Sequence, residues 1–214
     1  MKTRCSTEEM MRTGSFTIYQ NLLDIGCGSC EDILTVEERY GVRMFGFDRD
    51  CRKIQKAQTQ RPYLRVKEAD AEEQNYPDQS FDGILMKKVL SEVNNQMEAL
   101  YLAACALRRQ GLLFLADYGL RTEDLEEIET ARKLAEAADR DAVENGNCIT
   151  RKLKRPSKYC VGRAFTKEGL QELIHGAGLE VIRLEDASHW EEAGVLGPHE
   201  GYFFAVLRRT AMSV

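Results

Sequence analysis

The sequence predicts an α/β chain with a doubly wound parallel sheet covered by helices on both faces, on three observations. Short, continuously apolar runs alternate with amphipathic stretches through the first half of the chain. Such runs are what strands buried on both faces look like. The first of them, NLLDI at 21–25, passes straight into the small-residue turn GCGSC, and the next two end on acids, Asp48 and Asp70. In a sheet of this kind a ligand belongs outside the carboxyl ends of the strands, where strand order reverses.

Each element follows in order. After the strand at 21–25, SCEDILTVEERYG carries Ile33 and Leu34 on one helical face and stops at Gly41. VRMFGFD (42–48) is a second strand, and RDCRKIQKAQTQ a helix ended by Arg61-Pro62. YLRVKEAD (63–70) is a third strand and FDGILMK (81–87) a fourth. NNQMEALYLAACALRRQ is helical, with Met97, Leu100, Tyr101, Ala104 and Leu107 on one stripe, and GLLFLAD (111–117) is a fifth strand. Further on, RTEDLEEIETARKLAEAADRDAVENGN has a Thr122 cap, acids in its first turn and an apolar stripe from Leu125 to Ala142, which predicts another helix. The basic stretch CITRKLKRPSKYCVGRAF after it reads as a loop or hairpin.

Composition narrows the function classes. A chain of 214 residues, 43% hydrophobic, buries a core of ordinary size and fits one domain with an embellishment. Its net charge of −5 gives no global attraction to a phosphate backbone or an anionic membrane, so neither nucleic acid nor membrane is an expected partner. MKTRCSTEEMMRTG has no apolar core of signal-peptide length, which predicts a soluble cytoplasmic protein. Seven cysteines (5, 27, 30, 51, 105, 148 and 160) suggest neither a disulfide framework nor a paired zinc motif. Cys27 and Cys30 form a C-x-x-C that suits a redox pair or half a metal site, but a second ligand pair is missing, and no metal is expected.

Gly26 and Gly28 let the backbone turn tightly and let a ligand approach, and the following helix offers free amides and a positive dipole end. The third glycine of G-x-G-x-x-G is replaced by Glu31, a poor neighbour for a pyrophosphate but harmless to a cofactor lacking phosphates. This also disfavours a nicotinamide-linked oxidoreductase. Asp48, 22 residues after Gly26, stands where an acid accepts hydrogen bonds from both ribose hydroxyls of an adenosine group, or else caps the helix beginning near Asp50. Asp70 is placed to hold an adenine amino group beside the Ala71 amide, or is a solvated turn acid.

LLDIGCGSCED, MFGFDRD, KEADAEEQNYPDQSFDGILMKKVLSEV and ALRRQGLLFLADYG resemble, in order and spacing, the successive motifs of class I S-adenosylmethionine-dependent methyltransferases with a small-molecule "methyltransferase 11" core. RAFTKEGLQELIHGAGLEVIRLE resembles the family's penultimate helix and sixth strand, and GYFFAVLRR its final antiparallel strand. The resemblance implies a Rossmann-like, mostly parallel seven-stranded sheet with an antiparallel last strand. It also implies a single methyltransferase domain over 1–214, with the core at 19–118 and 163–209 and a helical and basic lid inserted at 119–162. The implied cofactor is S-adenosyl-L-methionine, and the implied partner a small-molecule acceptor. By the same resemblance Asp24, Gly26 and Gly28 hold the methionine part, with Cys27 and Ser29 in the same loop; Asp48 holds the ribose, and Arg49 lies beside adenine. Asp70 and Ala71 form the adenine pair, and Met86 and Lys87 line the methionine and sulfonium portion.

Three departures stand out. Cys30 replaces a glycine; Ser91-Glu92 stands where many members carry a histidine pair; LRRQG replaces a proline-glycine turn. On the acceptor side, His189 and His199 flank Trp190 in a late loop and are candidate bases, with Tyr118 beyond strand five as another candidate. Trp190 equally fits a packing role. Tyr19 is a candidate to close over the methionine end, and His175 reads as a helix-terminal residue. Arg151, Lys152, Lys154, Arg155 and Lys158 suit either an anionic substrate or a solvated face. RNA is disfavoured because no Asn-Pro-Pro-Tyr-like motif follows strand four. Two alternatives remain: a metalloid or thiol methyltransferase using Cys148 and Cys160, and a cofactor-binding module without turnover.

Overall fold

A computed structural model describes residues 5–73, 76–120, 160–161, 164–194 and 200–210. In chain order these form α1 (Ser6–Gly14), β1 (Asn21–Ile25), α2 (Glu31–Tyr40), β2 (Arg43–Asp48), α3 (Cys51–Gln60), β3 (Arg65–Glu68) and β4 (Phe81–Lys87). There follow α4 (Gln96–Ala106), β5 (Leu107–Leu120), β6 (Cys160–Val161), β7 (Ala164–Phe165), α5 (Lys167–Gly176), β8 (Leu179–Asp186) and β9 (Glu200–Arg209).

Seven of the strands lie in the order β3-β2-β1-β4-β5-β9-β8. The first five run parallel, and β9 is inserted antiparallel between β5 and β8. β6 and β7 make a small antiparallel pair joined to β5 at Gly119–Phe165. This is the Rossmann-like sheet the sequence predicts. Order reverses between β1 and β4, which both leave the same end of the sheet and open a crevice there.

Alternation along each strand feeds two cores. On β4, Ile84 and Met86 face one core while Leu85 faces the other; on β5, Leu113 and Leu115 oppose Phe114 and Ala116. One core is closed by α4 and α5 through Leu100, Ala103, Leu170 and Leu173, the other by α1, α2 and α3 through Met10, Ile33 and Ile54. Each fully buried leucine, isoleucine or methionine among these stabilises the fold by about 1.5–3 kcal/mol. Both sides of the sheet are thereby covered, and the strands read as unbroken apolar runs for that reason.

Helix ends follow local chemistry. Asp50 caps α3 by accepting from the Arg52 amide (3.0 Å), Asn95 caps α4 through the Glu98 amide (3.1 Å), and Thr166 caps α5 through the Gly169 amide (2.9 Å). α2 stops at Gly41, whose φ is +67°.

Three features differ from the expectation. α4 ends at Ala106, and Leu107 already belongs to β5, whose pairing with β4 slips between Phe81 and Gly83; Arg108 holds the irregular stretch by two 2.8 Å contacts to Asp82. Tyr101 is 45% exposed and leaves the predicted stripe, because α4 is buried instead along Ala99, Leu100, Ala103 and Ala104. β5 runs on to Leu120, since β9 pairs with it as far as Leu120–Glu200, so the expected insertion begins as strand. The predicted lid helix and the cations from Arg151 to Lys158 lie outside the described residues, as do Cys148 and His199. No described helix is long and apolar enough to cross a membrane.

Candidate functional site

A cavity of about 350 Å³ opens at the crevice. β1 leads Gly26 and Gly28 to it, β2 leads Phe47, Asp48 and Arg49, β3 leads Ala69, Asp70 and Ala71, and β4 leads Lys87 and, beyond its end, Lys88, Val89, Glu92 and Val93. Parallel strands that stop at one level place these tips side by side.

The glycine loop is fixed by backbone bonds. Gly26 and Cys27 both donate to the Phe47 carbonyl (2.8 and 3.0 Å), and Gly28 donates to Asp48 Oδ2 (2.8 Å). Gly26 has φ +74°, and a Cβ there would sit 2.6 Å from Val89 Cγ2, so both conformation and space require glycine. Asp48 Oδ1 accepts from the Asp50 amide (2.8 Å). Asp48 thus locks the loop and still keeps acceptor capacity, since a carboxylate offers about four lone-pair sites.

Asp70 is set by the turn after β3, with Oδ1 accepting from the Glu72 amide (2.9 Å). Glu72 in turn accepts from the amides of Asn94 (3.1 Å) and Asn95 (2.6 Å), tying this turn to the segment after β4. Across the mouth, Arg49 Nη2 approaches Glu92 Oε2 at 3.7 Å.

Asp24 lies behind the glycine loop, 1% exposed, and its Oδ2 has no hydrogen-bond partner among the described residues. Burial, with the negative charge of Asp32, pushes its carboxyl well above the ordinary aspartate range against the pull of Lys87. Lys87 Nζ stands 2.5 Å from Asp32 and 3.7 Å from Glu192. Burial alone lowers a lysine, but Asp32, Glu192 and Asp24 outweigh it and hold this ammonium above its usual value. Thr7 donates to Asp32 and Ser6 to Glu192, so α1 closes this charged cluster.

Of the residues singled out in the sequence, Gly26, Gly28, Asp48, Arg49, Asp70, Ala71 and Lys87 come together on the cavity. Cys27 does not line it: the side chain is 7% exposed and turns into the space left by Gly46, within 3.0–3.1 Å of where a Cβ there would lie. Met86 is likewise absent, because strand parity sends it into the core. His189 is exposed beside Trp190 and lies off the cavity, so the structure gives it no place as a base there. Trp190 itself is 2% exposed and stacks on Phe204 at 4.9 Å, a packing role. Tyr19 is 88% exposed ahead of the amino end of β1, the wrong end of the strand for the cavity.

Tyr118 is partly buried against Tyr202, with ring centroids 5.9 Å apart, and Lys88 Nζ lies 5.4 Å from its ring. Cys27 and Cys30 approach to 3.8 Å between sulfurs as free thiols, a contact that together with burial pushes Cys27 up. Cys30 has φ +66°, the left-handed conformation for which a glycine is suited. Among the described residues no cluster of three metal-ligating side chains occurs.

Sequence reasoning missed Asp32, Glu192 and Lys88, and read Glu92 only as standing in place of a histidine pair, without its approach to Arg49. Asp32 and Lys88 sit inside quoted motifs, but what decides their roles is the partner each meets. Glu192 carried no local signal, since its contacts are Ser6 and Lys87.

Comparison with solved structures finds the same fold at low identity. A methyltransferase of the S-adenosylmethionine-dependent type from Methanosarcina mazei superposes with a TM-score of 0.68 at 18% identity, covering 94% of this chain and 97% of that one. A geranyl diphosphate C-methyltransferase from Streptomyces coelicolor gives 0.67 at 10% identity, over 95% and 79%. A cyclase, SpnF, gives 0.68 at 18% identity, over 96% and 80%, so the fold by itself does not choose the reaction. No curated protein sequence matches the chain. Residues 19–184, which supply every tip of the crevice, match the family described as the methyltransferase domain, and the chain belongs to that family.

Proposed function

We propose that this methyltransferase takes its methyl group from S-adenosylmethionine and passes it to a small-molecule acceptor by in-line displacement. The observation that carries the reading is the convergence of Asp48, Asp70 and the glycine loop of Gly26 and Gly28 on one cavity. When bound, the donor supplies an electrophilic methyl carbon on a positively charged sulfur. The residues present fit it: Gly26 and Gly28 leave backbone bare at the floor, and behind them Asp24 keeps one buried carboxyl oxygen that has no partner among the described residues.

Asp48 takes the ribose hydroxyls while holding Gly28 in place. Asp70 and the Ala71 amide take the adenine edge, with Phe47, Val89 and Val93 as apolar walls. Asp24 faces the methionine amino group through the loop; burial and Asp32 favour its neutral carboxyl, and the donor's ammonium, added to Lys87, draws it toward the carboxylate. Water exclusion and alignment supply the rate; well-oriented reactants gain on the order of 7–11 kcal/mol. Tyr118 does not itself line the cavity but touches it through Lys88, and to it we assign the orienting of the acceptor. A small-molecule acceptor accords with the Streptomyces neighbour, which was solved with geranyl diphosphate and S-adenosyl-L-homocysteine.

The test is calorimetric binding and thermal shift with S-adenosylhomocysteine, followed by labelled-methyl transfer from S-adenosylmethionine into a metabolite extract. At a hundred times its dissociation constant the ligand adds about 2.7 kcal/mol. For a chain of this size that raises Tm by roughly 5–11 °C. Asp48→Ala loses most of the shift, and label appears in the small-molecule filtrate. No shift at millimolar ligand overturns the reading.

A further inference from the structure

Four cations line the cavity: Arg49, Lys53, Lys87 and Lys88. Three of them face acids. Arg49 meets Glu92 at 3.7 Å, Lys53 meets Asp50 at 3.9 Å, and Lys87 meets Asp32 and Glu192. Lys88 alone has no carboxylate within ion-pair distance among the described residues. Its ammonium instead rests against two aromatic faces, 5.4 Å from the Tyr118 centroid and 5.5 Å from that of Tyr202. Ring faces hold a cation in place without neutralising it, so its whole charge is available to a ligand.

The backbone is bent to achieve this. Lys88 has φ +56°, a left-handed conformation unusual for a residue with a side chain, and its amide is pinned to the Ala116 carbonyl at 2.8 Å. Strain of this kind persists where the surroundings impose it and clusters at binding sites. Its effect is directional. Lys87 turns to the acids on α2 and the β8–β9 connection, whereas Lys88 reaches toward β5 and β9, away from the adenosine side of the cavity on β2 and β3. On that same side the Tyr202 hydroxyl is buried and has no hydrogen-bond partner among the described residues.

We infer that Lys88 receives an anionic group of the methyl acceptor, so that the acceptors of this enzyme carry a carboxylate or a phosphate. The inference rests on the methyl-donor reading above and adds the acceptor's charge. A bound carboxylate or phosphate would form a charge-assisted hydrogen bond with an ammonium already positioned for it.

The test uses wild type, Lys88→Met and Lys88→Arg, each first titrated with S-adenosylhomocysteine. The saturated proteins are then titrated with benzoate, with phenyl phosphate and with uncharged benzamide. The expected result is S-adenosylhomocysteine affinity equal within about twofold in all three proteins. On wild type an anionic probe binds about tenfold or more tighter than benzamide, loses about tenfold in Lys88→Met and is partly restored in Lys88→Arg. Which of the two anions gains most separates carboxylate-bearing from phosphate-bearing acceptors. Anionic probes that bind wild type no better than benzamide, or that bind Lys88→Met as well as wild type, overturn the inference. So does a collapse of S-adenosylhomocysteine affinity in Lys88→Met alone, which would assign the lysine to the donor's own carboxylate. Failure of all three proteins to bind S-adenosylhomocysteine sinks the donor reading itself.

Discussion

Asp117 is a buried acid in the interior of β5, 2% exposed. Burial pushes its carboxyl up to about 6, against the hydrogen bonds it accepts from the amides of Ser91 (3.2 Å) and Tyr118 (2.8 Å). A raised folded-state value means the native protein holds this proton longer than the unfolded chain does. The stability it contributes is complete below about pH 4 and is lost as pH rises through about 6. Asparagine removes the titration and keeps one of the two acceptors, since the amides of Ser91 and Tyr118 go to different carboxylate oxygens; the cost of the lost bond is the same at every pH and leaves the slope unaffected. The unfolding free energy of wild type minus that of Asp117→Asn should therefore fall by on the order of 3 kcal/mol between about pH 4 and pH 7, measured by urea denaturation. A flat difference would show that the group ionises freely in the fold. The acids at 48 and 70 were readable because each ends an apolar run, and a strand tip is where such a sheet binds. Lys88 was not readable, because its distinction from Lys87 lies in which neighbours each ammonium meets, and those come from β5, β9, α2 and the segment before β9.

At the scale of elements, the glycine loop is supported from below by the contact of β2 with α2. Gly46 leaves the space that Cys27 and Ile33 occupy; a Cβ there would stand 2.5 Å from Ile33 Cδ1 and 3.0 Å from Cys27 Cβ. Gly46→Ala should cost about 1–3 kcal/mol, as overpacking of a close-packed core does. It should also weaken S-adenosylhomocysteine binding, because the loop rides on Cys27; unchanged urea midpoint and affinity would contradict this. β1, β2 and β4 were legible as continuous apolar runs since both faces are buried. β3 is shorter than its run suggested, with only Val66 buried along Arg65–Glu68, because it is the sheet's edge and has one neighbour. α1 was hidden altogether. Its buried face includes Ser6, Thr7 and Glu9 beside Met10 and Met11, and those polar groups are met by Glu192, Asp32 and Arg183, far along the chain. No local periodicity records such partners.

For the molecule as a whole, α1 is a part of the core. Met10 is fully buried in the cluster shared with Leu22, Met44 and Phe114. Met10→Ala should lower stability by about 2–5 kcal/mol while unfolding stays a single transition. The fluorescence of Trp190, the sole tryptophan, and far-UV circular dichroism should then report the same midpoint. Separate midpoints would mean that the helix detaches by itself. The order of the sheet has a consequence for synthesis. Because β9 lies between β5 and β8, a nascent chain that has already made β8 still has no edge on which to seat it. The contacts of α1 with Glu192 and Arg183 also wait on residues translated long after it. On the ribosome, then, only the half built around β1 to β5 has its strand neighbours in place early, and the emerging remainder must be kept from wrong pairings until β9 arrives.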